Sequence, residues 1–86
     1  MSIRFSRHAN LQIKDRNIAK NKIVAGITKP DHTIQQSIDR FRAIKKISIS
    51  RQTYLLIIVY NKVGLNIKVI TAFITSKIKK YETTIR

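Results

Sequence analysis

His8, near the start of the chain, is surrounded in sequence by arginine and lysine residues and is the best candidate for proton transfer. Cationic neighbours favour the neutral form of an imidazole, which can act as a general base near pH 7. RNA supplies its own nucleophile, the 2′-hydroxyl beside each phosphodiester, so its cleavage needs only a base, an acid and cations for the developing charge. His8 is therefore a candidate catalytic residue. The alternative is a structural histidine that packs on a sheet or caps a loop.

A second group of candidates is a row of cations in a segment with a rough period-two pattern, namely Arg40, Arg42 and Lys46. Alternate side chains of a strand point to the same face, so these three cations would line one face of a sheet along a phosphate backbone. Lys45 is a further candidate contact to RNA. The alternative is an ordinary solvated strand surface in a basic protein.

The composition favours a polyanionic partner. The 86 residues include 18 Lys plus Arg and 4 Asp plus Glu, which gives a formal net charge of +14. Nucleic acid releases condensed counterions when cations neutralise its phosphates, whereas charge alone would also attract anionic lipid. Hydrophobic residues make up 43% of the chain, too many for a disordered basic tail. We expect one domain, with a folded core at about residues 3–75, a basic tail at 76–86, and the charge gathered on one side of the sheet.

The sequence lacks the residues that several other classes of function require. The chain has no cysteine, two histidines and four acidic residues, without the spacing of metal ligands or of a paired-carboxylate hydrolase. It also has no glycine-rich phosphate loop, so we expect no metal and no other cofactor. The most apolar run, residues 54–60, is too short to span a bilayer, and the N-terminus lacks the apolar core of a signal peptide. These features predict a cytoplasmic protein that does not associate with membranes.

The first third of the chain predicts two helices. Ser6 suits the N-cap of the first, and Asn17 suits a left-handed residue after its end. A second helix is expected over residues 20–27, before Pro30. The remainder predicts strands at residues 32–38, 40–50, 53–63 and 67–75, the first of them weakly. We therefore predict an α+β domain with two N-terminal helices packed on a four-stranded antiparallel sheet.

Several short motifs follow one another in a distinctive order: residues 5–9 (FSRHA), 15–18 (DRNI) and 29–31 (KPD), then Arg40, LLIIVY, and residues 69–73 (VITAF). This order resembles a family of small uncharacterised domains related to the barnase/EndoU/colicin/RelE-like ribonuclease toxins, which include BrnT-like toxins. The resemblance covers residues 5 to about 75. It implies a RelE/barnase-like toxin fold, metal-independent RNA cleavage and, in many members, a small acidic antitoxin as partner.

The resemblance also implies roles for particular residues. His8 would be the general acid or base, Arg16 and Arg40 would hold the scissile phosphate, and Thr71 would position the substrate through its hydroxyl. Apart from the resemblance, we expect Lys46, in the cationic row of the predicted strand, to stabilise the developing negative charge.

Other cations and one aromatic residue are expected to contact RNA without sequence preference. These candidates are Arg7, Lys14, Arg42, Lys45, Lys77, Lys79, Lys80 and Tyr81. The remaining aromatic residues lie inside predicted elements and are expected to belong to the core. Gln12 departs from the resemblance, because similar sequences often carry a basic residue there.

Together these features predict a metal-independent endoribonuclease of a toxin–antitoxin system, acting on RNA either alone or on the ribosome. Two alternatives belong to other classes. One is a non-catalytic module that binds RNA or DNA through the same basic residues, and the other is a domain that binds an acidic protein.

Overall fold

The computed structural model describes residues 2–79, which form two helices and a five-stranded sheet. In chain order the elements are β1 (Ser2–Phe5), α1 (Arg7–Asp15), α2 (Lys20–Thr28), β2 (His32–Gln35), β3 (Arg40–Ile49), β4 (Gln52–Val63) and β5 (Asn66–Thr75). The strands lie in the order β1-β5-β4-β3-β2. Among residues 2–79, no helix is both long and apolar enough to cross a membrane.

The helix ends follow local sequence signals. The Ser6 hydroxyl accepts a hydrogen bond from the backbone N–H of Ala9 at 3.0 Å, which confirms the predicted N-cap of α1. Asn17 has a φ of 57°, which confirms the predicted left-handed residue after this helix. Gly26 lets α2 approach β4 closely, because a Cβ atom at this position would lie 2.7 Å from Cδ1 of Ile58.

The predicted four-stranded antiparallel sheet is wrong, although the structure is α+β with two helices. Residues 2–5 form a further strand, β1, which pairs with β5 in parallel and makes the sheet mixed. The other three strand pairs are antiparallel. A four-residue strand is at the lower limit of length at which a period-two pattern can be recognised. Its partner begins at Asn66, opposite Ser2, so its hydrogen bonds depend on chain more than sixty residues away.

The middle of the central strand β4 is buried on both faces, as its two-sided apolar pattern predicts. One face packs against the helices in a core that we call the helix-side core: Ala9, Ile13, Ile18, Ile23, Ile27, Ala43, Leu56, Ile58, Tyr60, Ile67, Val69 and Ala72. The opposite face, here the open face, has a smaller core of Ile44, Leu55 and Ile57. Successive residues of β4 alternate between the two cores because side chains of a strand alternate between the faces of a sheet.

The turn between β3 and β4 was not predicted from the sequence, because it lacks the usual residues. Ser50 and Arg51 have φ values of 50° and 67°, so both central residues are left-handed, as a type I′ turn requires. Each non-glycine residue in this conformation costs about 1–2 kcal/mol, less for asparagine and least for glycine. We expect the double substitution Ser50→Asn and Arg51→Gly to raise the free energy of unfolding by about 1–2 kcal/mol, measured by urea denaturation. The Arg51→Ala variant removes the same charge without relieving the backbone, and an equal gain in that variant would contradict the prediction.

Candidate nucleic-acid interface

The five strands contain Lys and Arg residues but no acidic residue. Seven cations lie in the strands: Arg4, Arg40, Arg42, Lys45, Lys46, Lys62 and Lys68. The acidic residues of the described chain are Asp15 at the end of α1, and Asp31 and Asp39, which precede β2 and β3. The sheet therefore presents positive charge that no carboxylate of its own strands offsets.

Most of these sheet cations lie on the open face. Ala43 and Ile58 are register partners in the helix-side core. Arg42 and its partner Val59 are each one residue away, so their side chains lie on the opposite face. The same alternation places Arg4, Arg40, Lys46 and Lys68 on the open face. Lys45 and Lys62 lie on the helix side.

The polar residues of the open face form two neighbouring rows across the sheet. One row runs Arg40–Asn61–Lys68–Arg4 over four strands, and the other runs Arg42–Val59–Thr71. Adjacent strands lie about 4.8 Å apart, so residues of one row are near neighbours. We call these seven residues the basic half of the open face.

The other half of the open face is apolar. Its rows are Ile44–Ile57–Phe73 and Lys46–Leu55–Thr75. Ile44, Leu55 and Ile57 are at most 1% exposed, and Ile34, Phe73 and Ile78 pack against them. This apolar half contributes to stability rather than to an anion-binding surface.

The predicted row of three cations on β3 is therefore divided. Arg40 and Arg42 lie in the basic half, whereas Lys46 lies among the rows of the apolar half. Lys46 is six positions beyond Arg40, which places their Cα atoms about 20 Å apart along the strand. The Lys46 backbone N–H donates to the Asp31 carboxylate at 2.6 Å. The structure thus does not bring Lys46 and Arg40 together around one scissile phosphate.

Arg42 and Arg40 have different surroundings. The Nε atom of Arg42 is buried and has no hydrogen-bond partner, and its cross-strand neighbours are the apolar Ile34 and Val59. A charged group with an unsatisfied buried donor is costly in a folded protein. Arg40 is exposed, and its Nε donates to Oδ1 of Asn61 at 3.1 Å. The Nε atom of Arg42 thus lacks an acceptor in the protein, whereas the Nε atom of Arg40 has one.

Helix α1 lies along the edge of β5. Strand β1 ends opposite Val69, so in the described part no strand covers that side of residues 70–75. Arg16 donates from Nη1 to the carbonyl oxygen of Ala72 at 2.9 Å, and the Thr71 hydroxyl donates to Oε1 of Gln12. These contacts hold the helix against the strand edge. They bring two predicted catalytic residues, Arg16 and Thr71, to one place, where both already make protein contacts.

His8 is exposed at the start of α1, and aliphatic side chains do not enclose it. It lies one helical turn before Gln12, and Arg16 lies one turn after. His8, Arg16 and Thr71 therefore belong to the edge formed by α1 and β5. Arg40 is on β3, two strands away from β5. The predicted catalytic residues thus fall in three places: this edge, the basic half and the apolar half.

The other predicted RNA contacts are dispersed. Arg7 and Lys14 are exposed on α1, and Lys77 and Lys79 are exposed after β5. Lys45 donates from Nζ to the Lys29 carbonyl oxygen at 2.9 Å on the helix side. Lys80 and Tyr81 lie outside the described residues. The helices also carry exposed Lys20 and Lys22, so the expectation that the charge lies on one side of the sheet was wrong.

Sequence reasoning missed three residues of the basic half: Arg4, Asn61 and Lys68. Arg4 stands between Ile3 and Phe5, and Lys68 stands between Ile67 and Val69, so each cation is flanked by residues that face the helix-side core. This pattern could have identified both as surface cations on the open face. Their proximity could not be identified, because it depends on the pairing of β1 with β5.

Phe5, Phe41, Tyr60 and Phe73 belong to the two cores or pack against them, as predicted. Tyr54 is partly exposed, and its hydroxyl donates to Oε1 of Gln52. Phe41 and Tyr60 stack with ring centroids 5.7 Å apart and planes at 18°. Burial raises the pKa of the Tyr60 phenol, because desolvation disfavours the phenolate. Within residues 2–79, no three His, Asp or Glu side chains are grouped as metal ligands.

The chain matches no protein-family model, and neither the curated proteins nor the solved structures include a significant match. The resemblance to ribonuclease toxins therefore stays a prediction.

Proposed function

We propose that this domain binds single-stranded RNA through the basic half of the open face. The observation that carries the proposal is the placement of Arg4, Arg40, Arg42 and Lys68 in two adjacent rows of a sheet that contains no acidic residue. Arg42 adds support, because its side chain is only half-buried and carries a charge that no carboxylate of the five strands offsets.

The spacing of the four cations favours a repeating anion. Across the sheet they span three inter-strand spacings, and along the strands they span two residues. The four cations therefore cover an area of roughly 14 by 7 Å. Such an area matches successive phosphates of a chain rather than one carboxylate. Asn61 adds a polar amide between Arg40 and Lys68, and 2′-hydroxyl groups of RNA can both donate to and accept from such a group. Cytoplasmic RNA is the partner that this proposal assigns.

The experiment measures the affinity of the protein for a fluorescent single-stranded RNA at several salt concentrations. Four phosphate contacts predict a slope of log affinity against log salt near −2.8, or about a 50-fold loss between 50 and 200 mM salt. The variant Arg40→Gln with Arg42→Gln should bind much more weakly and with a shallower slope. The control Lys22→Gln with Lys29→Gln has the same net charge but alters exposed residues on the helix side. Equal losses in the two variants, or no RNA binding at low salt, would contradict the proposal.

Metal-independent RNA cleavage is the second candidate function, and the exposure of His8 beside the α1–β5 edge favours it. In this reaction His8 takes the proton of a 2′-hydroxyl, and the 2′-oxygen attacks the adjacent phosphorus. The bond from phosphorus to the 5′-oxygen breaks, and that oxygen takes a proton from water. The products are a 2′,3′-cyclic phosphate and a 5′-hydroxyl end.

The protein incubated with RNA in EDTA should produce these ends. The His8→Ala variant should lose the activity, whereas His32→Ala, which alters the exposed histidine of β2, should retain it. If all three proteins leave the RNA intact, the ribonuclease prediction is wrong and RNA binding remains. Growth arrest on expression, relieved by a small acidic protein, would support the toxin–antitoxin prediction.

A further inference from the structure

One end of the basic half contains a depression of about 400 Å³ beside strand β1. Arg4 and Lys68 line it from two paired strands, and Asn61 and Asn66 lie beside them. All four side chains carry hydrogen-bond donors, and no acidic side chain lines the depression. Ser2, Val63 and Ile67 complete the lining, which is therefore partly apolar, and the two cations with the two amides suit an anion.

The two cations are direct register partners across the parallel pair β1–β5. Like charges opposite each other in a sheet repel and destabilise the pair. Asp39 precedes Arg40 in the chain, but its carboxylate accepts from the Ser37 hydroxyl at 3.2 Å and it does not line the depression. An anion from outside the chain would relieve the repulsion between Arg4 and Lys68.

The side-chain amide of Asn61 adds a hydrogen-bond donor beside the cations Arg4 and Lys68. Its Oδ1 atom accepts from Nε of Arg40, so the side-chain amide is held with Nδ2 directed elsewhere. Lys68 is the register partner of Asn61 on the other side, toward the depression. This contact leaves the Nδ2 donor of Asn61 free of Arg40.

We propose that this depression is a phosphate-binding subsite, in which Arg4, Lys68 and Asn61 donate to one phosphate group of bound RNA. The subsite rests on the proposed function and specifies where one phosphate of the strand binds. The subsite combines cationic donors with an amide donor on neighbouring strands. Arg42 lies in the other row and is not part of the subsite.

The first experiment compares Arg4→Gln and Lys68→Gln with the control Lys22→Gln, all three with the same net charge and all three at exposed positions. Each of the first two should bind RNA two- to fivefold more weakly and reduce the salt slope by about 0.7. The control should keep the wild-type slope. If the subsite variants behave like the control while Arg40→Gln with Arg42→Gln still binds RNA more weakly than the wild type, the subsite is wrong and RNA binding by the remainder of the basic half stands. Loss of RNA binding in the wild type would instead contradict the proposed function.

A second experiment tests the subsite without RNA. In nuclear magnetic resonance spectra, the side-chain amide of Asn61 should shift when inorganic phosphate is added to the wild type at constant ionic strength. The same titration should leave this signal in place in Lys68→Gln, and an equal shift in both proteins would overturn the subsite. Vesicles with phosphatidylglycerol test the other source of phosphate. If they bind with the same dependence on Arg4 and Lys68 while RNA does not, the assignment to RNA is overturned.

Discussion

The substitution Arg42→Met is expected to stabilise the unliganded protein and to weaken RNA binding. Methionine keeps an unbranched side chain between Ile34 and Val59 but has no charge and no N–H donor. The buried Nε of Arg42, which has no partner in the free protein, is thereby removed. Replacing an uncompensated buried polar group with an apolar one is favourable for folding.

The expected magnitudes follow from these two effects. Arg42 is only half-buried, so we expect a gain of about 1 kcal/mol in the free energy of unfolding, at the lower end of the cost of an unsatisfied buried group. Loss of a hydrogen bond to a charged group predicts RNA affinity lower by about tenfold or more. Urea denaturation and RNA titration at fixed salt measure the two quantities on the same protein.

Arg40→Met is the matched control, because Arg40 lies on the same strand face but is exposed and bonded to Asn61. This variant should also bind RNA more weakly, but it should not be more stable than the wild type. A stabilised Arg42→Met protein with unchanged RNA affinity would remove Arg42 from the proposed interface. A destabilised one would show that its guanidinium is satisfied in the free protein.

The substitution Ile57→Ala should lower the free energy of unfolding by about 3–4 kcal/mol, within the range for truncation of a buried isoleucine. Ile57 is fully buried on the open face, where it packs in one core with Ile44 and Leu55. A domain of this length has a total stability of roughly 4–13 kcal/mol, so the variant would lose a large part of it. Thermal and urea denaturation measure the change.

Val59→Ala is the control for this second prediction. Val59 lies two residues further along β4 on the same face, but it belongs to the basic half and is only half-buried. Its truncation should cost about 1 kcal/mol, because less apolar surface returns to water. Isoleucine is one methylene group larger than valine, so a small difference between the two losses is expected from size alone. If the two losses differ by no more than that, the division of the open face into an apolar and a basic half is contradicted.

Together the two predictions separate stability from binding on a single face. The apolar half should tolerate few changes, whereas the basic half should tolerate loss of charge with little cost in stability. This difference arises because apolar burial stabilises the fold, while clustered cations repel one another until an anion is bound.

Local signals in the sequence determined the helices and the long strands. The Ser6 cap, the left-handed Asn17 and the stop at Pro30 act within a few residues of themselves, so they could be read without the fold. The two-sided apolar run of β4 likewise predicts a central strand, and it lies at the centre of the sheet. The net charge of +14, and with it the preference for a polyanion, is a property of composition alone.

Tertiary structure alone decided which of these residues meet. The pairing of β1 with β5 brings Arg4 beside Lys68 across more than sixty residues, and no local periodicity encodes that register. The same assembly buries one half of the open face, separates Lys46 from Arg40, and leaves the Nε atom of Arg42 buried without an acceptor. Sequence reasoning placed cations on strands correctly, but their neighbours depend on strand order, and strand order is set by how the whole chain buries its apolar faces.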